Sequence, residues 1–144
     1  MQAQATRHGY ALKIESGEEL IASLTAFAER HGIRSGLISG LGAMGDVELG
    51  FFDRATRTYK TRVMQGEFEI GSLTGNFSEF EGRPFPHCHV VLGGDDFAAH
   101  TGHLFRGVIT VFCEVQILTD PGIMQRHRAP ALGVNALRLG DGTR

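Results

Sequence analysis

The chain has 144 residues, enough to bury one hydrophobic core and too few for two ordinary domains. Apolar residues make up 42% and charged residues 21%, and a formal charge of −2 withholds the basic excess on which nonspecific nucleic-acid affinity rests. Two cysteines, Cys88 and Cys113, are too few for a disulfide framework, and no apolar run approaches the roughly 20 residues of a membrane span.

The opening segment carries no apolar signal core, so a soluble protein of the reducing cytoplasm is expected. One domain over 1–144 is expected, with residues 1–7 and the tail 140–144 as its mobile ends. The first clear element is a helix. Ser16 with Glu19 three residues on has the form of a capping box, Leu20, Ile21, Leu24, Phe27 and Ala28 make one apolar stripe, and Gly32 is a natural stop. Beyond it the chain reads as strands: "GLISGLG", "DVELGFFD", "TYKTRVMQ", "GEFEIGSLTGNFS", "HCHVVLG" and "GHLFRGVITVFCEVQIL", separated by Gly, Asn or Asp. The fold class is therefore α+β, one main helix packed on a mostly antiparallel, highly twisted sheet.

Two short motifs fail for want of context. Gly40, Gly42 and Gly45 spell G-x-G-x-x-G, but a dinucleotide fingerprint needs a helix directly after it, and the alternating "DVELGFFD" follows instead. A tight turn is the expected use of these glycines. Gly82, Arg83 and Pro84 match the centre of an AT-hook, yet Glu81 stands where its first arginine would be and no basic run flanks it. That segment reads as the turn into the next strand.

The chemistry concentrates between Pro86 and Leu104, which hold four of the seven histidines. In a strand of period two, His87 and His89 share a face and Cys88 points the opposite way, into the core. His103 opens the following strand after a glycine-containing reversal. Three neutral imidazoles with a free fourth position are the ligand set of catalytic zinc; the same pairs also occur on strands that bind nothing. His100 is a substrate-facing candidate. Glu114, in the apolar "VITVFCEVQIL", and Glu69 are the candidate proton carriers, since a carboxylate buried in such a strand is costly unless it is paired or functional. Arg83 is the candidate carboxylate-binding residue.

The order "GEELIASLTAFAERHGIRSGLISGLGAMGDVELGFFD", "GEFEIGSLTGNFS", "GRPFPHCHVVLG" and "TGHL" resembles the plant-and-prokaryote-conserved (PPC) domain across nearly the whole chain. The resemblance implies a compact α+β homotrimer similar in topology to acetolactate decarboxylase, a zinc enzyme. It implies His87, His89 and His103 as ligands of a divalent metal, zinc by preference. Thr101 departs from the family's G-G-H-L. In plant members a Gly-Arg-Phe-Glu-Ile-Leu segment contacts partner proteins; Glu67 and Gly71 alter it here.

Three functions follow as expectations. The first is a metal-dependent lyase or hydrolase acting on a small carboxylate or carbonyl compound. The second is a DNA-binding or regulatory module, with Arg126 and Arg128 as its meagre basic segment and the net charge against it. The third is a protein-interaction trimer whose metal is structural.

Overall fold

A computed structural model describes residues 1–139; the expected mobile tail, 140–144, lies outside the described residues. The elements, in chain order, are β1 (Gln2–Thr6), β2 (Gly9–Glu15), α1 (Leu20–His31), β3 (Gly36–Asp53), β4 (Thr58–Phe80), β5 (Arg83–Gly93), β6 (Ala99–Thr119), β7 (Gln125–Ala129) and β8 (Val134–Arg138). The protein is a mostly antiparallel sheet with one short helix. The N-terminal residues expected to be mobile instead form β1, paired in register with β2 from Gln2↔Lys13 to Thr6↔Gly9.

Four strands close on themselves. β3 pairs with β4 and β6, and β5 pairs with the same two strands, so β3, β4, β5 and β6 form a ring. Such closure requires twisted, bent strands, and β3 bends at register shifts between Gly40 and Gly42 and between Gly45 and Val47. The expected tight turn is therefore corrected: the three glycines lie inside one continuous strand. A side chain at Gly40 would bring its Cβ within 2.7 Å of the Glu114 carbonyl oxygen, so glycine is needed there for β6 to approach. The separate strands expected on either side of these glycines, and of Gly66, are the continuous β3 and β4.

The helix packs on β5 and β6 and buries Leu20, Leu24, Phe27 and Ala28. Its N-cap is Glu19, whose carboxylate accepts from the Ile21 and Ala22 N–H groups; Ser16 Oγ instead donates to the Thr110 carbonyl across to β6. The capping-box expectation is corrected accordingly, because the Glu19 side chain meets two of the free N–H groups of the first turn without Ser16. Gly32 ends the helix in the left-handed region, at φ 66°, as its position requires. Ile14, Ile38, Phe77, Leu92, Ile109 and Ile117 complete a core between helix and ring. Cys88 and Cys113 are free and buried in it. Among the described residues no helix is long and apolar enough to cross a membrane.

Candidate metal centre

Strand pairing assembles the histidines. His89 on β5 lies directly opposite His103 on β6, and His87 follows two residues away, on the same face by strand parity. Cys88 between them points into the core, so the alternation read from the sequence holds. Ring centroids are 5.3 Å apart for His87 and His89, 5.0 Å for His87 and His103, and 5.4 Å for His89 and His103. One ligand nitrogen from each ring lies within 4.8 Å of the other two. A tetrahedral zinc at about 2.0–2.1 Å from each nitrogen holds them about 3.4 Å apart.

Two further observations fit a cation. His103 Nδ1 is buried and has no hydrogen-bond partner among the described residues, an orphaned lone pair or N–H that a protein seldom leaves unmet. Burial, reinforced by the charges of Arg126 and neighbouring imidazoles, pushes His87 and His103 down to about 4. Both rings are therefore neutral at pH 7, the form that can donate a lone pair to a metal. Tyr59 and Phe105 wall the site, their rings 5.2 and 4.6 Å from His103.

Arg126, from β7, completes the surroundings. Its Nη2 lies 3.0 Å from His87 Nδ1 and 3.0 Å from Asn76 Oδ1, Nε donates to Ser78 Oγ at 2.8 Å, and Nη1 donates to the Asn135 carbonyl at 2.8 Å. A guanidinium has no lone pair to offer, so in the metal-free protein His87 Nδ1 is the acceptor and the ring proton sits on Nε2. An ion at His87 takes the lone pair that Arg126 meets here or requires the proton to move to Nδ1, and either way that contact is given up. The whole constellation opens onto a pocket of about 810 Å³, lined also by Tyr59, Phe105, Arg128 and Asn135. No Asp or Glu among the described residues lines it.

The sequence profile of the Plants and Prokaryotes Conserved (PCC) domain matches residues 1–120. The chain belongs to this family. Solved structures agree with the PCC-domain assignment. A Bacteroides thetaiotaomicron protein provisionally named as DNA-binding is 30% identical, with a TM-score of 0.92 over 95% of this chain and 96% of that one. The metal-containing protein of Archaeoglobus fulgidus is also 30% identical, with a TM-score of 0.85 over 96% of this chain and 100% of its own. A plant- and prokaryote-conserved (PPC) protein of Pyrococcus horikoshii is 27% identical, with a TM-score of 0.86 over 97% and 96%. No curated protein sequence matches the chain.

Within one PCC-domain chain the remaining sequence candidates lie elsewhere. Glu114 is exposed on β6 opposite Lys13 and borders a separate groove beside β1 and β2. Glu69 is exposed on β4, opposite Ala43 and Gly93. Arg83 pairs with Glu29 on the outside, its Nη2 2.8 Å from the carboxylate. His100 borders a third hollow with Lys60 and Arg62 and meets Phe68 edge-on. None of the four lines the histidine pocket. Arg126 and Tyr59 do, and sequence reasoning placed neither at the site: they lie 23 and 28 positions from the nearest histidine of the trio and reach it only through long-range strand pairing. The "QRHR" segment, read as a basic patch, was the one available signal for Arg126.

Proposed function

We propose that this PCC-domain protein binds a divalent metal, zinc by preference, through His87, His89 and His103, and acts as a lyase or hydrolase on a small carboxylate or carbonyl compound. One observation carries the reading: three converging imidazoles at an open pocket, with no fourth Asp, Glu, Cys or His in the group among the described residues. A structural zinc is ordinarily closed by four protein ligands, whereas a working zinc keeps a position for water or substrate. The metal-containing Archaeoglobus relative supports the metal-binding part of the reading.

Bound there, the ion would supply Lewis acidity toward a substrate oxygen or an activated water. The chain's own residues supply the rest. The depressed proton affinity of His87 and His103 keeps both rings uncharged at neutral pH, the state a ligand imidazole must have. Tyr59 and Phe105 restrict water on one side, and the Arg126 guanidinium favours negative charge. A homotrimer is part of the proposal, supported by the cross-strand neighbours Leu37 and Leu118, which leave 51% and 52% of their surfaces exposed on β3 and β6. Free, buried cysteines support the cytoplasm as its compartment.

Metal analysis of protein purified without a histidine tag tests the reading. It requires about one equivalent per chain, lost in His89→Ala; metal-free wild-type protein that also takes up no added zinc would refute it. The provisional name of the Bacteroides relative favours a second reading, DNA binding. A gel-shift titration at low salt decides that one, since absence of binding there removes it.

A further inference from the structure

Four arginines hold their guanidinium groups in defined side-chain contacts among the described residues. Arg34, Arg83 and Arg128 each meet a carboxylate, from Glu79, Glu29 and Glu81 at 2.6, 2.8 and 2.9 Å. Arg126 is half-buried, yet every partner it has among the described residues is neutral: Ser78, Asn135, Asn76 and His87. Its guanidinium also lies against the Phe85 ring, 5.2 Å from the centroid. These contacts satisfy four of its five N–H groups and fix the plane of the fork while leaving the charge uncompensated. One Nη1 hydrogen has no partner in that set.

Holding a half-buried cation without a counter-charge is unfavourable for the folded protein, so a missing anion is the economical explanation. The pocket offers none itself, because no Asp or Glu among the described residues lines it. Arg128 on the same rim is already paired with Glu81 and contributes little net charge. Among the described residues lining the pocket, the one positive charge without a carboxylate partner is therefore Arg126, against His87 at the edge of the histidine group.

We propose that Arg126 is the anion-binding residue of this pocket and selects a ligand bearing a carboxylate over its neutral counterpart. This rests on the reading of the pocket as a ligand site. It assigns to Arg126 the role that sequence gave to Arg83, whose fork is committed to Glu29 at 3.2 and 2.8 Å on the outer surface.

Pyruvate and its neutral amide, pyruvamide, differ in charge but little in shape, and serve as probes by calorimetry on metal-free and cobalt-loaded protein. Wild-type protein is expected to prefer pyruvate by at least tenfold in both forms. Arg126→Gln is expected to lose that preference while cobalt stoichiometry stays at wild type, and Arg126→Lys to retain part of it. Equal affinity of wild-type protein for the two probes, or an unchanged preference in Arg126→Gln, overturns the assignment; the wild-type comparison stands even where a variant fails to fold. Failure to take up cobalt would instead refute the metal reading, and the metal-free comparison would still decide the role of Arg126.

Discussion

Acidification of the metal-free protein provides a quantitative test of how the fold treats its histidines. His87 and His103 are held at about 4 against an ordinary 6.5, chiefly by burial. In that interval the unfolded chain binds more protons than the folded one, so stability falls as pH falls from 6.5 toward 4. At pH 5 the ceiling is about 2 kcal/mol per ring, from about 1.4 kcal/mol per unit over roughly 1.5 units. Both rings are partly exposed and influence one another, which reduces this to about 1 kcal/mol each. Together that lowers the thermal midpoint by roughly 4–8 °C for a chain of this size. The carboxylates act elsewhere. Burial opposes ionisation of Glu18 but the N-terminal ammonium prevails, and Lys60 lowers Asp53; their stabilisation is lost only below about 4.5 and 3.8. Melting curves at fixed protein concentration, at pH 7 and pH 5, with a chelator, make the comparison. A His87→Gln, His103→Gln double variant should lose most of the pH dependence. A midpoint unchanged in wild-type protein, or falling in parallel in the variant, would refute the reasoning.

Other outcomes are equally specific. Gly75→Ala places a Cβ against the His87 carbonyl, 2.9 Å from Cys88 Sγ and 3.0 Å from its Cα; it should cost about 1–3 kcal/mol in urea titration and weaken zinc uptake by shifting β5. Glu19→Ala removes acceptors for Ile21, Ala22 and Gly107 N–H groups and should cost about 1–2 kcal/mol by the same measurement, with zinc stoichiometry unchanged. Glu114→Gln and Glu69→Gln, both outside the histidine pocket, should leave zinc stoichiometry at wild type by metal analysis.

The legible part of this protein was local. Period-two alternation was enough to put His87 and His89 on one face and Cys88 in the core, and the helix stripe with Gly32 located α1. The glycines misled because, in a sequence, punctuation and close strand approach look alike; Gly40 and Gly42 permit β3 to pass β6 without ending either strand. Glu114 misled for a different reason. Its apolar neighbours suggested burial, but β6 alternates there: Cys113, Val115 and Ile117 are buried, while Glu114 shares the outward face with the exposed Phe112 and Leu118. Arg126 was hidden by topology. It reaches His87 because β7 returns to β4 through the parallel pairing Glu79↔Gln125, a long-range contact with no local period.

The central claim is that three imidazoles hold one ion and leave it open to the pocket. Zinc-edge X-ray absorption on loaded, untagged protein reads that sphere directly. The account predicts three imidazole nitrogens at about 2.0–2.1 Å plus one light oxygen ligand from solvent, with the imidazole signal diminished in His103→Ala. A sphere closed by a fourth protein ligand, or a signal from bound zinc unchanged in His103→Ala, would contradict it.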